Sequence, residues 1–556
     1  MIPDMSISFC GVKAPNPFWL ASAPPTNSGY QVRRAFEAGW GGAVWKTLNH
    51  EPIVNVSSRY GAIDYDGRKV MGLNNIELIT DRSLQENLAE IREVKRDFPH
   101  HALFVSLMVE SKRETWHDIV KQTQDTGCDG LELNFGCPHG MSERGMGSAV
   151  GQVPEYAEMI TGWVKEAARI PVMVKLTPNI SDVRLVARAA KNGGADAVSL
   201  INTINSIMSI DLDTFAPRPA VAGKGSHGGY CGPAVKPIAL NMVSAIATDP
   251  QCKGLPISGI GGIQAWQDAV EFLLLGAGSV QVCTAVMHYG FRIVEHMASG
   301  LKNWMREKGF ARIADFQGRA APNVVDWGDL DLGFKVVAEI DQSKCIHCGL
   351  CYIACEDGCH QSITWEKVPL DDFAQRFAAP SPLKGEGWGE GDTSAAPGAV
   401  PSAVASPNQK HQPVSPLKSQ ISNAPSAVSS PDQKHSPTVV QSPNHQIAKS
   451  PNLDAARAAM ASNGNGHSAP FVNPNMHVVR SGGSLAVPGE GAGYLGVFTI
   501  KQHTCVGCNM CSLVCPVQNC ITMKQVPSGL PSMTWREYQK KLAAGEVEKI
   551  QPPEHV

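Results

Sequence analysis

From residue 18 to about residue 306 the chain repeats one pattern eight times, and that repetition restricts its fold more than any other feature. A short apolar run suited to a buried strand is followed by an amphipathic stretch suited to a helix. The strand-like runs are 18–23, 43–48, 103–108, 131–135, 172–177, 197–202, 256–261 and 280–285. Between them lie helix-like segments such as 111–126, 154–169, 182–192 and 264–275. Eight βα units in roughly 300 residues predict a (β/α)8 TIM barrel, with a doubly wound open sheet as the alternative.

Several of these runs end in polar residues: Lys46-Thr47, Asn134, Lys175, Asn202-Thr203, Gly261-Gly262 and Cys283-Thr284. One polar strand end is ordinary loop chemistry. Six on the carboxyl rim of a barrel point to a site. Gly261-Gly262, opening onto a helix, suits a phosphate through its backbone N–H groups. The fourth run leads into Phe135-Gly136-Cys137-Pro138-His139-Gly140-Met141, where Gly136 and Pro138 stop the strand. A free thiol has a reference pKa of roughly 8.5, so Cys137 can act as a general acid near neutrality. The bland alternative is a buried, inert cysteine.

Of the 16 cysteines, eight form two runs of identical spacing. The first is Cys345, Cys348, Cys351 and Cys355; the second is Cys505, Cys508, Cys511 and Cys515, followed by Pro516. This is the bacterial ferredoxin spacing for two [4Fe–4S] clusters, in which the fourth Cys of each run ligates the other cluster. One cluster is therefore expected on Cys345, Cys348, Cys351 and Cys515, the other on Cys505, Cys508, Cys511 and Cys355. Zinc is the rival, but its sites use two pairs of Cys rather than two runs of four. Cys359 and Cys520 fall outside the pattern and read as packing residues.

Between the two runs, residues 373–490 are rich in Pro, Ser, Ala, Gly, Gln and Asn, with phrases repeated at Ser406 and Ser430 and at Ser381 and Ser415. Such a composition buries too little apolar surface to offset ordering entropy and is expected to be a disordered insertion, with a helical turn or two at most over 453–461. The expected domains are a barrel (1–310), a connecting segment (311–335), a first ferredoxin half (336–372), the insertion (373–490), a second half (491–530) and a tail (531–556). Gly491-Ala492-Gly493-Tyr494-Leu495-Gly496 spells G-x-G-x-x-G but follows low-complexity chain and enters a strand-like run, so it reads as linker glycine and not a dinucleotide fingerprint. The chain is thus expected to lack its own nicotinamide site.

A net charge of -3 gives no reason to expect nucleic acid or an anionic membrane as partner. The first residues lack the basic and apolar regions of a signal peptide, and no apolar run reaches roughly 18 residues, so a soluble cytoplasmic protein is expected.

Strand-end chemistry beside two iron–sulfur clusters fits a flavin enzyme, because a flavin transfers hydride and also exchanges single electrons. Lys46 and Lys175 can place positive charge near the flavin's N1–C2 region. A phosphate at Gly261-Gly262 and Cys283-Thr284 makes the cofactor FMN. Asn75, Asn134, Asn202 and Thr203 offer donors and acceptors that match a flat cyclic imide or amide.

The stretches 21–25, 45–47, 75–78, 131–147, 175–179, 202–203, 228–229 with Gly232, 261–262 and both Cys runs resemble the catalytic subunit of the bacterial NAD-dependent dihydropyrimidine dehydrogenases. They also resemble the C-terminal FMN and iron–sulfur part of the eukaryotic enzymes. Dihydroorotate dehydrogenases share the barrel, FMN and Asn-x-x-Cys-Pro, but typically continue with Asn where this chain has His139. The resemblance implies that Ser22, Lys46, Lys175, Gly232, Gly261, Gly262, Cys283 and Thr284 bind FMN. It implies that Asn75, Asn134, Asn202 and Thr203 hold uracil or thymine and that Cys137 protonates C5; the glycine spacing of 140–147 is in itself that of a mobile lid able to close over substrate. It further implies pyrimidine degradation, with NADH and FAD on a partner flavoprotein subunit in a heterotetramer of two plus two. Gly136 departs from the Ser of the eukaryotic enzymes, and the insertion is foreign to the family. Other readings are a flavin dehydrogenase of another cyclic amide, such as dihydroorotate, and a non-catalytic iron–sulfur electron-transfer subunit.

Overall fold

The computed structural model describes residues 2–57, 59–65, 69–138, 145–369, 372–373, 376, 479–481, 484–486 and 494–550, with backbone alone at 64, 65, 69, 70 and 479–486. The chain forms two units, Met1–Leu330 and Asp331–Val556.

Among the described residues of the first unit, eight parallel strands close a barrel in chain order. They are β1 (Phe18–Leu20), β2 (Gly42–Leu48), β3 (Ala102–Leu107), β4 (Gly130–Asn134), β5 (Val172–Lys175), β6 (Ala197–Leu200), β7 (Ile257–Ile260) and β8 (Ser279–Val282), with β8 paired back to β1. The helices that follow them are α1 (Gly29–Ala38), α2 (Leu84–Asp97), α3 (Arg113–Gln124), α4 (Pro154–Ala167), α5 (Val183–Asn192), α6 (Lys236–Ala247), α7 (Trp266–Leu274) and α8 (Ile293–Lys308). The expected TIM barrel is present, with its strands at the expected places. Two of them end three residues early. The first, expected to reach 23, stops at Leu20, and the chain then enters a 3-10 turn, Pro24–Thr26, that its prolines favour by fixing φ. The eighth, expected to reach 285, stops at Val282, because Thr284 already begins a short helix, Thr284–Tyr289.

An amino-terminal hairpin, Ile7–Phe9 with Val12–Ala14, closes the lower mouth of the barrel. Its Phe9 meets the edge of Trp19, which packs on Phe104, and Val44, Met173 and Ala197 complete an apolar floor. Strand side chains alternate with a period of two. Two residues beyond Val44, Phe104, Met173 and Ala197, the same strand faces carry Lys46, Ser106, Lys175 and Ser199, all buried. Barrel interiors are dominated by bulky branched residues, so a polar upper layer marks the functional end.

One feature was absent from the sequence expectations. The connections after β2 and β6 contribute Tyr60–Tyr65, Lys69–Asn75, Ile204–Ser206 and Gly228–Cys231, which pair into a four-stranded antiparallel sheet.

The second unit repeats strand, Cys run, helix, strand. Its first half holds β9 (Phe334–Ile340), α9 (Leu350–Glu356) and β10 (Ile363–Pro369); its second holds β11 (Tyr494–Ile500), α10 (Met510–Val514) and β12 (Ile521–Pro527). The pairing is crossed: β9 runs antiparallel to β12, and β10 to β11. This interlocked arrangement is ferredoxin-like. Most of 373–490 lies outside the described residues, including the turn expected at 453–461. Within it, Val479–Ser481 and Ser484–Ala486 pair antiparallel. The Gly482-Gly483 between them is a two-residue hairpin signal that the overall composition hid. Gly496, read from sequence as linker, lies inside β11, and a Cβ there would stand 2.4 Å from the Trp365 indole nitrogen. No helix among the described residues is long and apolar enough to cross a membrane.

Arg188 on α5 clasps the turn that leads into β7, donating to both carboxylate oxygens of Asp249 at 2.7 and 3.0 Å. The Arg188 hydrogen bonds hold the buried Asp249 carboxyl down at about 2. Asp249 is therefore more acidic folded than unfolded, and its contribution is complete above roughly pH 4 and fades as the pH falls toward 2. Asp249→Asn should cost about 1–3 kcal/mol in urea unfolding at pH 7. The gap between variant and parent should close as the pH drops through that window.

Candidate active site

Every barrel residue singled out from the sequence lines one cleft of about 1110 Å3 at the carboxyl rim. Ser22 follows β1, Lys46 stands on β2, Asn134 ends β4, and Lys175 ends β5. Asn202 and Thr203 follow β6, Gly261 and Gly262 follow β7, and Cys283 and Thr284 follow β8. Asn75 and Gly232 come from the added sheet and its exit. Parallel strands put all their carboxyl ends on one face, so residues far apart in sequence meet there.

A chain of hydrogen bonds ties the polar layer together. The Ser22, Thr47 and Ser106 hydroxyls lie in line at 3.1 and 3.0 Å. Asn134 donates to Thr47 at 3.0 Å, and its side-chain oxygen accepts from Asn202 at 3.0 Å and from the Gly136 amide at 3.3 Å. Asn202 in turn accepts from the Thr203 amide at 2.8 Å, and Asn75 donates to the Gly229 carbonyl at 3.2 Å. Gly136 is required by this packing, since a Cβ there would stand 2.5 Å from both Cβ and Nδ2 of Asn202.

Both cleft lysines are buried, and each faces a carboxylate. Lys46 meets Glu77 at 2.9 Å, and Glu77 also takes Arg59 at 3.4 Å and the Tyr60 hydroxyl. Burial, then the hydrogen bond to Glu77, pushes the Tyr60 phenol well above its usual range. Lys175 lies 3.8 Å from Glu132. Desolvation pushes the Cys231 thiol up to about 11 and Cys283 to about 12, so both stay protonated near neutrality.

One corner of the cleft is built from glycines with left-handed backbone. Gly232, Gly261 and Gly262 have φ of 101, 132 and 72°. A Cβ on Gly262 would stand 2.7 Å from the Lys236 Cβ and 2.9 Å from its amide nitrogen; one on Gly261 would stand 2.8 Å from Ala239. This is a cradle that side chains would fill. Gln281 on β8 lines the same cleft and carries a buried amide oxygen with no hydrogen-bond partner. A glycine cradle for phosphate, two ammonium groups and an orphaned acceptor for a ring N–H together fit FMN.

Cys137 is buried at the cleft edge, beside an apolar cluster of Ile79, Met108 and Met146. Its carbonyl accepts from the Ser148 amide at 3.0 Å, which fixes the backbone past the strand end. His139 and 140–144, most of the expected lid, lie outside the described residues.

In the second unit the thiols ring two cavities. Cys345, Cys348, Cys351 and Cys515 line one of about 300 Å3, while Cys505, Cys508, Cys511 and Cys355 line another of about 350 Å3. Each grouping takes its fourth thiol from the opposite run. Backbone amides point at sulfur: His347 to Cys345 at 3.4 Å, Ser362 to Cys355 at 3.2 Å, and Ala338 to Cys505 at 3.4 Å. Among the described residues, no three His, Cys, Asp or Glu side chains converge on the point that a single metal ion needs. Thiols spread around a cavity and receiving N–H···S bonds fit a multi-iron cluster. Cys520 is not remote from this chemistry, since it lines the first cavity.

The sequence reading missed Tyr60, Glu77, Glu132, Cys231 and Gln281. Glu77 carried a signal, since it lies two residues past Asn75, where the strand Lys69–Asn75 ends. The others are single polar residues within apolar strands or short sheet segments.

A barrel whose rim joins a glycine cradle, buried lysines and a bonded set of amides is that of a flavin oxidoreductase. The chain belongs to the dihydroorotate dehydrogenase family, whose model matches residues 4–305. It is 45% identical over 364 residues to the NAD-dependent dihydropyrimidine dehydrogenase subunit PreA of Escherichia coli K12, covering 66% of this chain and 88% of that one. It is 40% identical over 328 residues to the chloroplastic NADP-dependent dihydropyrimidine dehydrogenase of Arabidopsis thaliana, covering 57% and 77%. To the catalytic subunit of the NAD-dependent dihydroorotate dehydrogenase B of Pyrococcus abyssi it is 37% identical over 322 residues, covering 57% and 99%.

Gly262→Ala tests the cradle. It forces an L side chain into left-handed backbone and against Lys236, strain worth about 1–3 kcal/mol. FMN affinity, read by fluorescence titration of the flavin-stripped protein, should fall roughly 10- to 100-fold while the circular dichroism spectrum is unchanged.

Proposed function

We propose that the chain reduces the 5,6 double bond of uracil and thymine, reversibly, to the dihydropyrimidines. In this reading electrons from NADH enter through a partner subunit carrying FAD and the nicotinamide site. Two [4Fe–4S] clusters, one held by Cys345, Cys348, Cys351 and Cys515 and the other by Cys505, Cys508, Cys511 and Cys355, would supply single-electron exchange between that subunit and FMN. The observation that carries the proposal is the presence of Asn75, Asn134, Asn202, Thr203 and Cys137 in the same cleft as the glycine cradle and both lysines. The names of the Escherichia coli and Arabidopsis relatives support it.

Bound in the cleft, FMN would supply hydride transfer and single-electron exchange. Ser22, Gly232, Gly261, Gly262, Cys283 and Thr284 would hold it, and Lys46 and Lys175 would balance negative charge on its ring. The amides support this substrate. Both lone pairs of the Asn134 oxygen and one of its N–H groups are already bonded within the protein, which leaves one N–H for a ring carbonyl. Asn202 likewise keeps one N–H, and no described residue uses the Asn75 oxygen, which suits a ring N–H. This alternation of donor and acceptor matches a pyrimidine-2,4-dione. The Cys137 thiol would give its proton to C5 of the substrate, with the side chain held at the cleft edge by the backbone past β4.

The family and the Pyrococcus relative raise a second reading, oxidation of dihydroorotate. A ring carboxylate is best answered by a cation whose charge is not already balanced. Among the described residues lining the cleft there is no arginine, and each lysine already faces a carboxylate. This favours the neutral pyrimidine. Anaerobic mixing of the purified protein with dihydrouracil, dihydrothymine or dihydroorotate decides the matter: the first two should bleach the flavin. Bleaching by dihydroorotate alone would overturn the proposal.

Two variants test individual roles. Cys137→Ala should lower turnover by about 10²–10⁴ with uracil and FMN binding retained. A rate within about threefold of the parent, where chemistry limits turnover, would reduce Cys137 to a packing residue. Cys515→Ser should damage the cluster held by the first run, and Cys355→Ser the one held by the second, as read by paramagnetic resonance of the reduced protein. Loss of the sequence-local cluster in each case would reverse the assignment.

A further inference from the structure

The two cleft lysines are equally buried but differently engaged. Lys46 and Lys175 are each 5% exposed. Lys46 lies at hydrogen-bond distance from Glu77, 2.9 Å, so one of its N–H groups is spent on that carboxylate. Lys175 lies 3.8 Å from Glu132, close enough for charge attraction and too far for a hydrogen bond. Its three N–H groups therefore remain available to a ligand.

Glu132 is an unusual residue for its place. It stands on β4 inside the barrel at 0% exposure, where bulky apolar side chains are the rule. Ser199 on β6 donates to its Oε2 at 2.9 Å and pins it, while its Oε1, on the Lys175 side, accepts no hydrogen bond. A buried carboxylate is retained only where something charged answers it, and here that group is Lys175.

We infer that Glu132 is a positioning residue, the buried counter-charge that lets Lys175 stay charged in the cleft with its N–H groups free for the reduced cofactor. This rests on the FMN reading above. The ionisable groups around Lys175 are Glu132 beneath it and, lining the same cleft, Lys46, Glu77, Tyr60, Cys137, Cys231 and Cys283. Glu77 is already shared among Lys46, Arg59 and Tyr60. Without Glu132, burial disfavours the ammonium. The negative charge of the reduced cofactor then loses its partner.

The test is spectroscopic and needs no turnover. FMN bound to the purified protein is reduced anaerobically, and the pH at which the reduced flavin becomes anionic is read from its absorbance. In Glu132→Gln that midpoint should rise by about one pH unit, a tenfold change in proton concentration. In Glu132→Gln with Lys175→Arg it should return to the parent value, because arginine stays charged. Ser199→Ala, which frees Glu132 without removing it, should move the midpoint in the same direction by less, and serves if Glu132→Gln does not fold. An unchanged or lowered midpoint in Glu132→Gln would overturn the inference and leave the FMN reading intact. A parent protein that takes up no FMN would overturn both.

Discussion

Every functional contact in the first unit depends on one constraint: the strands of a closed parallel barrel have alternating faces and a common direction. The inward face of each strand must be filled, and at the amino-terminal end it is filled with hydrocarbon, Trp19 and Phe104 capped by Phe9. Two residues later the same faces emerge into the cleft, and there Lys46, Ser106, Lys175 and Ser199 appear. The apolar plug and the polar layer are thus one pattern viewed at two heights, and the plug is what allows the upper layer to be chemically specific without flooding the core.

The polar layer is held by mutual saturation. Thr47 joins Ser22, Ser106 and Asn134; Asn134 joins Asn202 and Gly136; Glu77 collects Lys46, Arg59 and Tyr60. Groups so tied have few hydrogen-bonding positions left, and those that remain are fixed in direction. A ligand therefore meets a small set of oriented donors and acceptors, and binding does not have to order them first. Close packing extends to the backbone, where Gly136 gives Asn202 room that no other residue would leave.

The barrel was legible because strands buried on both faces read as continuous apolar runs, and 43–48 and 103–108 are unambiguous. The place of the cleft was legible because six of those runs end in polar residues. Glu132 and Gln281 were not, because a single polar residue inside an apolar strand has the same local appearance whether it faces the core or a ligand. The sheet over the rim was hidden for another reason. Its segments are short, come from two connections far apart in sequence, and exist only because the barrel brings 60–75 and 204–231 together. The roles of individual residues follow from chemistry at a distance of a few ångströms, which spacing along the chain does not encode.

The crossed pairing of the second unit places Pro369 directly opposite Tyr494. The chain therefore leaves this pair of strands and re-enters it at neighbouring points, so whatever joins them closes a connection between adjacent strand ends. The entropy of closing such a connection grows only with the logarithm of its length, about 0.6 kcal/mol for each doubling. The two halves of the metal-binding fold consequently make no demand on the size or composition of what joins them. That junction is an open port, where evolution, or an engineer fusing a tag or a second domain, can add chain at almost no thermodynamic penalty to the strands on either side.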